Sequence, residues 1–286
     1  MTRYPPIDLR DAVVVVTGGA RGIGRATAAG FAAEGARVCL GDLDGPLAVS
    51  SARTIGGYGS AVDVTSRESF AAFVAEVLAR HERIDVLVNN AGVMPLGRFL
   101  DEPDAVSATT LDVNVWGLVH GMRLVLPGML AQGRGHIVNL ASMAGKIPIP
   151  GMAVYNASKY AALGLSVAVR RELEQTGVSV SAVLPSAVRT GLASGVPLGR
   201  GLPTVEPEVV ARAVVRSCRT RRAEIPVPGY LAAWDLIAAL TPEPLMRWGR
   251  RLIGDDRALT QVDRAGRSAY EQRVADQATS RVRQTR

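Results

Sequence analysis

Residues 12–17, Ala-Val-Val-Val-Val-Thr, offer almost no polar side chain to turn toward water, so they suit a strand covered on both faces. The next residues narrow the choice further. Gly18-Gly19-Ala20-Arg21-Gly22-Ile23-Gly24 leads into an alanine-rich stretch of helical period, Ile23 to Glu34, that stops at Gly35. A buried strand, a glycine turn and a helix in that order open a βαβ unit. The glycine spacing, Gly18, Gly22 and Gly24, is G-x-x-x-G-x-G rather than G-x-G-x-x-G. Its physics is the same: glycine allows a tight turn and close backbone approach. A helix starting near Gly22 then aims its free N–H groups and positive end at a pyrophosphate.

The pattern recurs along the chain. Further strands are expected at 37–40, 58–62, 84–88, 135–140, 178–184 and 224–227, separated by helices near 45–55, 66–81, 101–132, 152–176 and 206–219. The helix from 66 carries Phe70, Phe73, Val74, Val77 and Leu78 at core-facing spacing. Alternation of this kind predicts an α/β chain: a single Rossmann-type, doubly wound parallel sheet of about seven strands with helices on both faces. Right-handed crossovers leave a ligand crevice at the carboxyl ends of its strands. Residues 191–205, rich in Gly and Pro and without periodicity, read as a loop of lid length. Beyond 228 the pattern turns helical again, around 230–240, 242–253 and 256–279. The expected organisation is a dinucleotide-binding catalytic domain over 1–228 and a helical extension over 229–286. That extension belongs to the same domain or covers the substrate site or another subunit.

Composition excludes several classes. With 286 residues, 48% hydrophobic and 21% charged, the chain is neither disordered nor a coiled coil. Cys39 and Cys218 cannot make a disulfide framework, and His81, His120 and His136 have no partner at metal-ligand spacing, so no metal is expected. The amino-terminal residues lack a signal-peptide core, and no run approaches 18 uncharged apolar residues; a reducing, cytoplasmic setting is the expectation. The net charge is +7, yet residues 1–186 hold 16 basic and 16 acidic residues, and the last hundred hold 17 and 10. Those arginines are scattered among Pro, Glu and Asp without stacking aromatics, which reads as a solvated basic face and not a nucleic-acid surface. Trp234 and Trp248 lie among apolar residues and arginines, a composition that also suits an anionic membrane surface. Packing over the substrate loop or another subunit is the preferred account.

Two features carry chemistry. Gly41-Asp42-Leu43-Asp44 ends the second strand about 20 residues past the glycines, where a carboxylate accepts hydrogen bonds from both ribose hydroxyls of an adenosine. Asp42 would repel a 2′-phosphate and so selects NAD over NADP; Arg21 would act in the opposite sense if it were free to pair with that phosphate. Farther on, Tyr155 and Lys159 stand at i and i+4 on one helix face. An ammonium near the phenol, with a positive nicotinamide, would favour phenolate and lower the tyrosine pKa.

With TGGARGIG these residues keep further company: Asn89-Asn90-Ala91-Gly92, Asn114 (41 before Tyr155), Ser142 (13 before it) and Tyr155-Asn156-Ala157-Ser158-Lys159. In that order and spacing the chain resembles the short-chain dehydrogenase/reductase family over residues 11–228. The resemblance implies an NAD-dependent oxidoreductase acting on CH–OH groups, with Tyr155 as general acid/base and Ser142 polarising the substrate oxygen. Lys159 would bind the nicotinamide ribose and depress the Tyr155 pKa; Asn114 would hold a water in a proton relay. It further implies cofactor contacts from Gly18, Arg21, Gly22, Ile23, Gly24 and Leu43, with Asp63 and Val64 bracketing the adenine. Asn90, Ala91 and Gly92 would meet the ribose, and Pro185, Val188 and Thr190 the carboxamide and phosphates. Where the family has Pro-Gly this chain has Pro185-Ser186, which adds a side chain beside the nicotinamide. Family members are commonly dimers or tetramers.

The residues near this set, Met94, Leu96, Met143, Ile147, Pro148 and Met152, are apolar, and Lys146 and Arg189 are the nearest cations in sequence. The expected substrate is therefore a hydrophobic secondary alcohol or ketone: steroid, terpenoid or lipid-like. Two alternatives are a 3-oxoacyl-thioester reductase of fatty-acid type, against which Asp42 and the tail both count, and a non-catalytic NAD-binding scaffold, against which Tyr155 and Lys159 count.

Overall fold

A computed structural model describes residues 4–196, 203–247 and 257–284. Its centre is β1 (Val13–Thr17), every residue of which is buried. Val13 and Val15 join the apolar cluster on one face of the sheet, while Val14 and Val16 join the cluster on the other, as side chains of alternating direction must. That is why four valines in a row are tolerated here.

Seven parallel strands line up in the order β3-β2-β1-β4-β5-β6-β9. They are β2 (Arg37–Asp42), β3 (Tyr58–Ala61), β4 (Val86–Asn89), β5 (Gly135–Leu140), β6 (Val178–Pro185) and β9 (Glu224–Val227), around β1. In register, Val14 pairs with Val38 on one side and with Val86 on the other. The chain winds outward from β1 to β3, returns to β4 and continues the other way, so the order reverses between β1 and β4. A crevice opens at such a reversal. On one face lie α1 (Gly22–Ala33) and α7 (Pro207–Thr220), packed together. The opposite face carries α3 (Arg67–His81), α5 (Gly117–Ala131) and α6 (Ala153–Glu172), while α2 (Gly45–Arg53) packs beside β2 and β3 at the sheet edge.

Three expectations need correction. The long helix over 101–132 is three pieces: α4 (Asp104–Leu111), a π-turn at Asp112–Trp116, and α5. The wider turn falls where the Asn114 side chain leaves the helix to bond the backbone of Val93, a cause that apolar spacing does not reveal. The 191–205 loop contains structure: Thr204–Val205 (β8) pairs in parallel with Ala187–Val188 (β7), and 197–202 lie outside the described residues. Within the tail, Tyr230, Leu236, Ile237 and Leu240 are exposed around α8 (Trp234–Leu240), while Leu231 and Trp234 pack against the core. The helix expected at 242–253 is seen at 243–247, and its remainder lies outside the described residues. Finally, the stretch expected at 256–279 splits into a turn at Arg257–Thr260 and a C-terminal helix, Arg264–Gln284.

Candidate active site

One cavity of about 980 Å³ runs from Gly18 and Asp42 at one end to Ser142 and Tyr155, and on to the C-terminal helix. Its first wall is main chain. Gly18 has a left-handed φ of 61°, and a Cβ there would lie 2.8 Å from Ala91 Cα. At Gly24 a Cβ would come within 2.1 Å of the Gly18 carbonyl oxygen, so the turn closes only without side chains. Asn90 locks the turn to β4: its Nδ2 donates to the carbonyls of Thr17 (3.0 Å) and Gly18 (2.9 Å). Across the crevice the Thr190 side chain faces Gly22 at the start of α1, where the helix N–H groups are free for an anion.

Asp42 ends β2 at the rim. Its Oδ2 accepts from the Ala20 N–H (3.0 Å) and its Oδ1 from the Asp44 N–H (3.1 Å). A carboxylate has about four acceptor sites, so two remain for vicinal ribose hydroxyls. Arg21 is bound elsewhere, its Nη2 lying 2.6 Å from Asp44 Oδ2. Asp44 also caps α2, accepting from the Leu47 N–H. The N–H donors of Arg21 and Leu47 hold its carboxyl below the usual range. Leu43, 56% exposed, lies on the same rim. Asp63 follows β3, not at its end as expected but two residues past it, and accepts from Thr65; Val64 beside it is buried.

At the other end of the cavity Tyr155 and Lys159 are both buried in α6, not on a solvated helix face. Lys159 Nζ donates to the Leu140 carbonyl at 2.9 Å and lies 5.7 Å from the centre of the Tyr155 ring. Burial pushes its ammonium down to about 8. Burial likewise pushes the Tyr155 phenol up to about 12, against the opposing pull of the Ser142 hydroxyl. The lowering expected from Lys159 together with a positive nicotinamide is opposed by this loss of water around both groups. Ser142 accepts from the Ala144 N–H at 3.0 Å, holding its hydroxyl at the end of β5. Asn114 is fully buried; its amide donates to Val93 O and Ser158 Oγ, and its oxygen accepts from Val93 N–H. Both its donors are spent and one acceptor site stays open next to Gly92, whose added Cβ would lie 3.3 Å from Asn114 Oδ1 and 3.8 Å from Lys159 Nζ.

Ser186 replaces a usual glycine without crowding the site: its hydroxyl turns to the Pro203 carbonyl at 2.5 Å and ties down the base of the 191–205 loop. Beyond it the wall is apolar, with Met94, Met143, Ile147, Pro148 and Met152. Leu96 packs behind Met94 and Met152. Lys146 is turned away, ion-paired to Glu224 (2.6 Å) and Asp235, and Arg189 pairs with Glu206 at 2.8 Å. The last wall comes from the extension expected to cover the substrate site: Trp234, Ala258, Tyr270 and Val274 close the cavity, and of these sequence reasoning singled out only Trp234. A signal existed, since Arg267, Tyr270, Val274 and Ala278 repeat at helical spacing. Among the described residues no cluster of His, Cys, Asp or Glu could hold a metal, and no helix is long and apolar enough to cross a membrane.

The sequence model described as short chain dehydrogenase matches residues 12–199. The chain belongs to the short-chain dehydrogenase family. It has the dinucleotide-binding fold of that family. Rat 17-beta-hydroxysteroid dehydrogenase 13 is 32% identical over 242 residues, covering 82% of this chain and 80% of the relative. The Mycobacterium tuberculosis protein named "Probable oxidoreductase EphD" is 37% identical over 188 residues, 64% of this chain; the match spans only 32% of that relative's length. Among solved structures, a short chain dehydrogenase/reductase from Burkholderia phymatum in complex with NAD superposes with a TM-score of 0.73 at 28% identity, covering 81% of this chain and 93% of the other.

Proposed function

We propose that this short-chain dehydrogenase uses NAD to interconvert hydrophobic secondary alcohols and ketones of steroid, terpenoid or lipid-like size. The carrying observation is the continuity of one cavity: a glycine-built anion cradle and a carboxylate at one end, a buried Tyr-Lys pair in the middle and an apolar wall beyond. The residues fit the dinucleotide. Gly18 and Gly24 leave room for main-chain contact, two acceptor sites of Asp42 suit a free 2′-hydroxyl, and Arg21 is held by Asp44. NAD, when bound, supplies the hydride acceptor for the carbinol carbon. Its binding set would be Gly18, Gly22, Ile23, Gly24 and Asp42, with Leu43 and Arg21 on the rim, Asp63 and Val64 at the adenine and Asn90, Ala91 and Gly92 at the ribose. Pro185, Val188 and Thr190 complete it.

Tyr155 takes the hydroxyl proton in oxidation and returns it in reduction, while the Ser142 hydroxyl holds the same oxygen. Lys159 orients the ribose and weakens the phenol O–H through its charge. Asn114, with one acceptor site left, carries a water from Lys159 toward solvent. Desolvation around Tyr155 excludes competing water. The working form is a homo-oligomer in the cytoplasm; exposed Leu111, Trp116 and Tyr160 on the α4–α6 side support the first part.

The test follows nicotinamide absorbance with a panel of hydrophobic and small charged alcohols, NAD and NADP in parallel, and Tyr155→Phe as control. Turnover of the hydrophobic alcohols with NAD, lost in Tyr155→Phe, supports the reading; turnover confined to charged hydroxy acids sinks it.

A further inference from the structure

The C-terminal helix is fastened to the cavity by polar side chains, not only by apolar contact. Arg267 has no exposed surface. Its Nε donates to Glu271 (3.1 Å), its Nη1 to the carbonyls of Leu192 (3.1 Å) and Ser194 (2.9 Å), and its Nη2 to the Met94 carbonyl. One turn on, Tyr270 Oη accepts from the Met94 N–H at 2.7 Å, so the helix holds both backbone polar groups of that residue. The segment before the helix adds a further bond, Asp263 N–H to Gly195 O at 2.8 Å. Gly195 itself sits so close that a Cβ would meet Asp263 O at 2.4 Å and Arg267 Cβ at 3.0 Å.

A buried guanidinium is tolerated only when its donors are matched, and matching them to three carbonyls fixes a geometry that apolar packing would leave loose. The three carbonyls belong to the two loops on either side of the cavity. Met94 and Leu192 both line it, as do Tyr270 and Val274 from the helix. Arg267 does not line the cavity, and Tyr270 lines it near Tyr155 without a hydrogen bond to that residue or to Lys159.

We propose that Arg267 and Tyr270 are positioning residues that lock the 92–96 and 191–196 loops at one spacing, making a pocket that selects bulky apolar alcohols over small ones. The selectivity half rests on the dehydrogenase reading above. The locking half does not.

The full chain with NAD bound is compared as wild type, Tyr270→Phe, Arg267→Met and Arg267→Lys, by hydrogen exchange and by kinetics with a steroid-sized secondary alcohol and 2-propanol. In Tyr270→Phe the Met94 amide loses its acceptor, and exchange across both loops rises about tenfold. KM for the bulky alcohol rises by a similar factor of about ten, well beyond any change for 2-propanol, with NAD affinity unchanged. Arg267→Met gives a larger change of the same kind, and Arg267→Lys, which keeps the charge but not the fork, falls between. Unchanged exchange in folded Tyr270→Phe overturns the proposal, as does an equal fall of kcat for both alcohols with KM unmoved. Should Arg267→Met fail to fold, Tyr270→Phe decides the matter, since it removes a single oxygen. If wild type turns over no alcohol, the dehydrogenase reading falls while the exchange data still judge the latch.

Discussion

At the carboxyl end of β1 the proposed cofactor cradle is main chain, held open by glycines whose missing side chains are its defining feature. Some fifty residues before the carboxyl terminus of the described chain begins a wall of the opposite kind, where α8 and the C-terminal helix bring Trp234 and Tyr270 against the same cavity and the buried Arg267 fastens the helix beside it. Backbone construction ties a site to a local sequence pattern, because a turn needs glycine at fixed offsets. Side-chain construction ties it to tertiary contact, and any sequence that packs will serve. The two ends of the cavity therefore differ in how they fail: one through clashes or lost ribose partners, the other through loosened loops.

The sharpest cut between them is at the chemistry they share. Tyr155→Phe removes the proton carrier and leaves both walls intact, so turnover should fall by about a thousandfold, within the range for general acid–base catalysis, with NAD affinity unchanged. Since burial pushes the phenol up to about 12, wild-type alcohol oxidation should climb as pH rises above 7, while ketone reduction, which needs the protonated phenol, should stay flat as far as pH 10. A flat oxidation profile would assign the proton to another group. Next in size is Gly24→Ala. Its methyl would press on the Gly18 carbonyl, so dinucleotide binding by calorimetry should weaken by about a hundredfold or more while exchange in the 92–96 and 191–196 loops stays as in wild type. Loosening of those loops in Gly24→Ala would break the comparison, because the two ends would then be one cooperative unit.

How much of this was legible follows the same division. TGGARGIG, Asp42, Tyr155 and Lys159 could be read directly, and so could the valines of β1, since each reflects a local demand of backbone or spacing. The break at Asn114 could not: the residue looks like any helical asparagine until Val93 is brought against it. Nor could the use of Lys146, which stands near the catalytic residues in sequence and is drawn off by Glu224 and Asp235. Arg267 reads as one more basic residue in a basic tail, and only the fold buries it.

A finer cut is Asp42→Asn. The amide keeps one acceptor but not the charge, and the loss of charge-assisted bonds to a ribose predicts an NAD KM raised about tenfold with little change for NADP. Parallel losses for both dinucleotides would mean that Asp42 serves the turn, through Ala20 and Asp44, more than the ligand.

The smallest effect comes from neither end, and so serves as the control for both. His136, at the start of β5 and away from the cavity, is fully buried between Ser179 and Ser217, with Nε2 3.0 Å from Ser217 Oγ. Burial, then the Arg221 charge, holds its pKa well below the ordinary 6.5. The unfolded chain thus takes a proton that the folded chain refuses. Stability from this group is complete above pH 6.5 and is lost as pH falls below it, at about 1.4 kcal/mol per pH unit, until the folded pKa is reached. Scanning calorimetry should show Tm dropping by about 2–4 °C per unit between pH 6 and 5, a slope that His136→Gln reduces. Because the alkaline rise in oxidation and this acidic loss of stability have separate origins, His136→Gln should leave the rate profile above pH 7 untouched. A shifted rate profile in that variant would tie the far end of the sheet to the chemistry, and the division between local and tertiary construction would no longer describe the molecule.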